Sequence, residues 1–167
     1  MLRVAARDSR RTTLLRLLSA GATETECAHL RTDEVIIRDD SQIWVRVGGG
    51  RGRALRIIVL PPGSGEAIRE LLATSSDGYL IPVDVKDEGL ARVKTINKTL
   101  QRLMASTGLG KDPAATVSSV RNTGLRAIHD HFGFEAAAAV AGTNNLQILQ
   151  QELGLVAHKP RRRQTRS

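Results

Sequence analysis

Apolar residues recur every three or four positions from 117 to 132, which is the spacing of an amphipathic helix with one buried face. The apolar stripe consists of Val117, Val120, Leu125, Ile128 and Phe132. Thr116 or Ser118 can cap the start of this helix, and Gly133 can end it in the left-handed conformation. Arg121 lies at the edge of the stripe, so we predict that its stem is packed while its guanidinium stays in water.

The same periodicity predicts helices along most of the chain. We expect them over 10–20, 24–30, 64–72, 87–106, 135–141 and 145–153. Ser9 can cap the first, and Thr23 with Glu26 has the Thr-x-x-Glu form of a capping box for the second. The helix over 87–106 combines an apolar face, which begins at Leu90, with a basic face. The predicted basic face consists of Arg92, Lys94, Lys98 and Arg102.

Three short runs rich in β-branched residues predict strands, over 35–37, 43–47 and 54–60. The glycine-rich loop 48–53 joins the last two runs as in a β-hairpin, and Pro61-Pro62 ends the sheet. The pattern therefore predicts an α+β protein that is mostly helical and has a small sheet.

Hydrophobic residues make up 41% of the 167 residues and aromatic residues only 2%, so the core must be built from Leu, Val, Ile and Ala. We expect one domain over 1–157 and a basic disordered tail over 158–167. The single cysteine, Cys27, excludes a disulfide framework. No apolar run approaches the ~18 residues of a membrane span and no signal peptide is evident, which favours a soluble cytoplasmic protein without a membrane partner. We expect no cofactor and no metal, because His129 and His131 are two apart on a helix and point in different directions.

The net charge of +8 favours a polyanionic partner, but the charge is unevenly distributed. Five of the cations lie in the tail, so the body carries only +3. Four arginines fall between Ser41 and Gly65, in a stretch without any acid. They are Arg46, Arg51, Arg53 and Arg56. An arginine-rich hairpin of this kind predicts salt-dependent contacts with a nucleic-acid backbone.

Two runs of the sequence resemble a known signature. Ser-Ser-Val-Arg-Asn-Thr at 118–123, followed by Ala-Gly-Thr at 141–143, resembles the His-x-x-Arg-His-Thr … Leu-Gly-His signature of the tyrosine recombinases, or phage integrases. In that family a histidine and an arginine three apart grip the scissile phosphate, and a second histidine follows the glycine. Arg121 is kept here, whereas Ser118, Asn122 and Thr143 stand at the histidine positions.

The earlier run LLSAGATETECAHLRTDEV is similar to the first signature of the same family, with Gly21 and Glu26 matching. Thr23 stands where the family has its other phosphate-clamping arginine. The resemblance implies an integrase-like catalytic fold, in which a small three-stranded antiparallel sheet with a β-hairpin packs on helices. It implies DNA as the partner, through backbone contacts of Arg121 and the hairpin arginines.

The resemblance also implies a reaction for which most of the groups are absent. The family attacks a DNA phosphodiester with a tyrosine that follows the Gly-His motif, and a hairpin lysine protonates the leaving oxygen. Tyr79 is the only tyrosine and precedes Arg121, and the hairpin offers arginines, which retain their protons near neutrality. The sequence therefore favours a degenerate, N-terminally truncated integrase-like protein that binds DNA but has lost strand cleavage.

Other interpretations stay open at this point. Arg121 can grip a phosphate, or it can pair with a carboxylate such as Asp130 or Glu135. The chain can instead be a protein–protein interaction module whose C-terminal helix docks on a second copy or on an integrase partner. The residues available for such docking are Leu146, Leu149, Leu153 and Val156. A third interpretation is an active recombinase with an unrecognised nucleophile.

Overall fold

The computed structural model describes residues 2–38, 42–49, 53–83, 89–106 and 115–156, with side chains from Ser9 onwards. The predicted tail over 158–167 and Arg51 of the hairpin loop lie outside the described residues. Within these ranges, no helix is both long enough and apolar enough to cross a membrane.

Seven α-helices and three strands form within the described ranges, which confirms the prediction of a mostly helical α+β protein. The helices are α1 Leu2–Ser19, α2 Glu24–His29, α3 Gly65–Thr74, α4 Leu90–Ser106, α5 Val117–Phe132, α6 Phe134–Ala141 and α7 Leu146–Glu152. The strands are β1 Val35–Arg38, β2 Gln42–Val47 and β3 Arg56–Val59.

The three strands form one antiparallel sheet in the order β1-β2-β3, as predicted. Val45 at its centre lies opposite Val35 on one side and Ile58 on the other. The strict alternation along β2 buries every second side chain against the helices, as a sheet with one covered face requires. The opposite face leaves Ile57 and Val59 exposed.

The buried apolar side chains form two clusters. The main core is formed by the four helices α1, α2, α3 and α4 and by the inner face of the sheet. Its fully buried members include Leu14, Leu17, Leu18, Ile58, Ile68, Leu71, Leu80, Ile81, Ile96 and Leu100. The smaller cluster joins α5, α6 and α7 and consists of Leu125, Ala137, Ala141, Leu149 and Leu153. The second cluster holds the C-terminal helices against α5, so it fixes which α7 side chains can reach α5.

The helices α1 and α5 approach so closely that only glycine fits between them. A Cβ atom placed on Gly124 would lie 1.9 Å from the carbonyl oxygen of Ser19. Just beyond this contact α1 ends, and Gly21 turns the chain with a φ of 95°, a conformation that favours glycine. This crossing brings the turn at Gly21 beside the first half of α5.

Four expectations from the sequence are wrong in detail. The first helix begins at Leu2, and Ser9 lies within it and donates to Glu70. Leu90 and Phe132, both expected on buried faces, are 77% and 76% exposed. The next helix begins at Phe134, and the ring of Phe134 packs on the smaller cluster in place of the ring of Phe132.

Arg92 is the fourth, because it is buried and not on the solvated face of α4. Its guanidinium donates to the carbonyl oxygens of Ala28 at 3.0 Å and Ile81 at 2.8 Å and pairs with Asp77 at 3.3 Å. Two main-chain carbonyls and a carboxylate replace the water that burial removes, so the charge can be accommodated. Lys94, Lys98 and Arg102 are exposed as predicted.

Candidate functional site

Arg121, which carries the family resemblance, is buried near the start of α5 and is only 4% exposed. Its Nε donates to the carbonyl oxygen of Gly21 at 3.0 Å, and its Nη2 donates to that of Ala141 at 3.4 Å. Its Nη1 pairs with Oε2 of Glu152 at 3.0 Å. The prediction that the guanidinium stays in water is therefore wrong. Its carboxylate partner is Glu152, not Asp130 or Glu135.

Arg56 on β3 forms a second buried ion pair next to the first. Its Nη1 and Nη2 donate to the two carboxylate oxygens of Glu26 at 2.7 and 3.1 Å, a two-pronged contact. Its Nη2 also donates to the carbonyl oxygen of Gly21 at 3.2 Å, and its Nε donates to that of Val140. Gly21 thus accepts hydrogen bonds from both Arg56 and Arg121, so the two ion pairs share one turn of the chain.

Glu26 is held ionised by this arrangement. Burial alone would raise the pKa of its carboxyl, but the hydrogen bonds and charge of Arg56, with hydrogen bonds from Thr23, lower the pKa below its ordinary value. Thr23 and Glu26 form the predicted capping box at the start of α2. The first signature run therefore supplies the anchor of Arg56 in this chain.

Arg53 completes the group of arginines. Its Nη1 donates to the carbonyl oxygen of Ala141 at 2.8 Å, the same oxygen that Arg121 contacts. The two main-chain segments also pair at this point. Arg53 forms a β-bridge with Thr143, and the amide of Ala54 donates to the carbonyl oxygen of Gly142 at 3.1 Å. Partial burial and the positive charges of Arg121 and Arg56 lower the pKa of Arg53. Burial is the larger cause of this shift, and the nearby arginine charges add to it.

The remaining predicted positions lie around these arginines to different degrees. Thr23 caps α2 by accepting from the amide of Glu26 at 3.3 Å, and the hydroxyl of Thr143 accepts from the amide of Asn145 at 3.2 Å. Ser118 is exposed on the first turn of α5. Arg46 is exposed on β2 and, together with Glu26, lines a cavity of about 80 Å³. The structure thus brings Arg53, Arg56, Arg121, Thr23 and Thr143 together and leaves Ser118 and Arg46 at the margin.

Tyr79 has a structural position outside this group. Two guanidiniums lie over its ring, with Arg92 at 3.7 Å and Arg31 at 4.6 Å from the ring centre. The backbones of Arg31 and Tyr79 also pair in a β-bridge.

No cluster of three or more metal-binding side chains exists among the described residues. His129 hydrogen-bonds Asp130, whereas His131 hydrogen-bonds the carbonyl of Ala127, so the two rings engage different partners. Cys27 is fully buried, and burial raises the pKa of its thiol.

Glu152 is the site residue that sequence reasoning missed. It is the only acid after Glu135 in the chain, and it follows Thr143 in the region where the resemblance places the nucleophile. That isolation among neutral and basic residues is the signal that could have found it. Its contact with Arg121 could not be inferred, because it depends on how the small core docks α7 on α5.

Comparison with known proteins places the fold. No protein-family model and no curated protein matches the sequence. Among solved structures, the XerA recombinase superposes with a TM-score of 0.69 at 17% identity, covering 90% of this chain and 55% of that one. The XerH site-specific recombinase, bound to difH substrate in a pre-cleavage complex, gives 0.67 at 12% identity, covering 95% and 49%. The Tn1549 transposon integrase with a circular intermediate DNA gives 0.56 at 13% identity, covering 90% and 55%.

The chain therefore has the fold of tyrosine recombinase and integrase catalytic domains, as its two signature runs predicted. It spans about half the length of the recombinases that it matches.

Proposed function

We propose that this protein binds the sugar–phosphate backbone of DNA through Arg53 and Arg121 and does not cleave the strand. The observation that carries the proposal is the convergence of both guanidiniums on the carbonyl oxygen of Ala141. Guanidiniums held in fixed positions by main-chain acceptors are preorganised for phosphate oxygens, so little ordering cost remains to be met on binding.

The charges of the site suit a phosphodiester. Arg53, Arg56 and Arg121 contribute three positive charges, and Glu26 and Glu152 contribute two negative charges, so the group has a net charge of +1. Each phosphodiester of DNA carries a single negative charge. We assign Arg56 a supporting role, because both of its terminal nitrogens are bonded to Glu26, and we assign direct contact to Arg53.

The basic stripe on α4 supports the same partner. Lys94, Lys98 and Arg102 are exposed at intervals of four residues, and α4 contains no acid. Four residues of helix rise about 6 Å, so the three cations form a row on one side of α4. Like charges four apart destabilise a helix by about 0.2–0.5 kcal/mol per pair, a cost that a polyanion lying along the row would remove. The DNA present in the XerH and Tn1549 structures agrees with this partner.

The lack of cleavage is inferred from the groups around Arg121. Two guanidiniums lie over the ring of Tyr79, and the hydroxyls of Thr23 and Thr143 accept hydrogen bonds from nearby backbone amides. Glu152 is the side chain after Thr143 that reaches Arg121, and a carboxylate is a far weaker nucleophile towards a phosphodiester than an activated hydroxyl. Arg53 at the hairpin position keeps its proton and so cannot serve as the general acid.

Two measurements test the proposal. Fluorescence anisotropy with a short labelled duplex should show binding at low salt that weakens steadily as salt is added. Incubation with a nicked suicide substrate, which traps covalent protein–DNA intermediates, should yield no adduct on a denaturing gel. Absence of binding at low salt would contradict the DNA role, and a covalent adduct would contradict the loss of cleavage.

A second candidate function is self-association through the C-terminal segment. Four large apolar side chains there are close to half exposed, namely Leu146, Ile148, Leu155 and Val156. Leu149 and Leu153, which the sequence offered for docking, are fully buried in the chain's own small core and cannot take part. Light scattering coupled to size exclusion tests this candidate, because a strict monomer at high concentration would exclude it.

A further inference from the structure

Glu152 occupies the side of Arg121 that is nearest to solvent. Of the three groups bonded to this guanidinium, the carbonyls of Gly21 and Ala141 belong to packed main chain. The third is the Glu152 carboxylate, whose side chain is 30% exposed while that of Arg121 is 5% exposed. Of these three groups, Glu152 is therefore the partner that an incoming anion could replace.

A carboxylate and a phosphodiester present the same feature to a guanidinium, a pair of anionic oxygens that accept two parallel hydrogen bonds. The two groups cannot both occupy Nη1 of Arg121. The main-chain acceptors cannot withdraw without unfolding the turn at Gly21 or the end of α6. Glu152 can withdraw by side-chain rotation, because it is attached near the end of a short surface helix.

The structure contains a place for the withdrawn carboxylate. A polar cavity of about 220 Å³ lies between α5 and α7 and includes Glu152 in its wall. Arg126 also lines it. Arg126 donates from Nε and Nη2 to the carbonyl of Leu153, which fixes its guanidinium at this cavity. A carboxylate turned into the cavity would thus meet a second cation.

We propose that Glu152 is an internal competitor of the DNA phosphodiester, which masks Arg121 in the free protein and is displaced towards Arg126 when DNA binds. The inference rests on the proposed DNA-binding function and adds the means by which that site is regulated. Masking lowers the affinity for any single phosphate. It therefore favours DNA, which contacts several cations at once, over free small anions.

The test compares Glu152→Gln with Glu135→Gln in salt titrations of binding to a short labelled duplex. Glu135 is exposed on α6, so its substitution changes the net charge by the same amount without touching Arg121. In Glu152→Gln no carboxylate has to be displaced from Arg121, so this variant should bind about tenfold more tightly than the wild type at low salt. The slope of log K against log salt should stay as in the wild type, because Arg121 contacts a phosphate in both complexes. Glu135→Gln should leave the affinity close to that of the wild type.

Inorganic phosphate provides a second readout that a purely structural role would not move. It should raise the melting temperature of Glu152→Gln more than that of the wild type or Glu135→Gln. If Glu152→Gln does not fold, Glu152→Asp withdraws the carboxylate by one methylene and should show the same changes at smaller size. Equal affinities and equal phosphate responses for the variant and its control would overturn the masking role while wild-type binding stands. Failure of the wild type and Glu152→Gln alike to bind DNA at low salt would overturn the proposed function itself, and the masking role with it.

Discussion

Arg53 and Arg121 donate to the same atom, the carbonyl oxygen of Ala141, at 2.8 and 3.4 Å. One arginine comes from the hairpin that leads into β3 and the other from α5, and the shared acceptor ends α6. Three separate parts of the chain are thus tied together at the point where the fold's signature arginine lies. The same tie explains why the pKa of Arg53 is lowered, since its partial burial and the charge of Arg121 both disfavour a further cation.

The ion pair of Arg56 with Glu26 should be important for stability. Their side chains are 8% and 9% exposed, so Arg56→Ala would leave a carboxylate buried without its partner. We expect a loss of about 3–5 kcal/mol in the free energy of unfolding, measured by urea denaturation. Arg46→Ala removes an exposed arginine from the neighbouring strand and should cost less than about 0.5 kcal/mol. Equal costs for the two variants would contradict the role of the pair.

The lowered pKa of Glu26 predicts how stability depends on pH. A carboxyl whose pKa is lower in the folded state stabilises the fold above the unfolded pKa of about 4.3, and this contribution is lost as pH falls through the folded pKa. The free energy of unfolding of the wild type should therefore fall more steeply below about pH 5 than that of Glu26→Gln. Glu66→Gln, at an exposed position on α3, should retain the wild-type profile. Parallel profiles for wild type and Glu26→Gln would contradict the assignment.

The crossing of α1 and α5 should tolerate no side chain at Gly124. A Cβ there would clash with main chain at Ser19, which cannot rotate away as a flexible side chain could. Gly124→Ala should destabilise the protein by about 1–3 kcal/mol, although alanine is the better helix former. Thr123→Ala, on the exposed side of the same helix, should change stability by less than about 0.5 kcal/mol. Thermal denaturation of both variants distinguishes a tight crossing from an ordinary helix surface.

Local signals in the sequence predicted the elements that depend on local physics. The apolar stripe gave the bounds of α5, and the Thr23–Glu26 capping box gave the start of α2. The β-branched runs predicted all three strands, because branched side chains suit an extended, pleated backbone. The two signature runs, together with the order of these elements, predicted a tyrosine recombinase-like fold.

The partners of buried charges could not be predicted in the same way. Arg121, Arg56 and Arg92 look like solvated side chains in any window of sequence, yet all three bond main-chain carbonyls that come from distant turns. Which main-chain carbonyls are free to accept from an arginine depends on how the helices end and pack. The spacing of residues in the sequence does not predict this. For the same reason Glu152 became visible as a site residue only when α7 was seen packed on α5.

The salt dependence of DNA binding by Arg53→Ala tests the central claim most directly. Arg53 is the arginine assigned to direct phosphate contact, so its loss should weaken binding about tenfold at low salt and make the slope of log K against log salt less steep by about 0.9. Arg11→Ala removes the same charge from an exposed position on α1 and should leave the slope as in the wild type. Identical slopes and affinities for Arg53→Ala and Arg11→Ala would contradict a phosphate site at the arginines that share the Ala141 carbonyl.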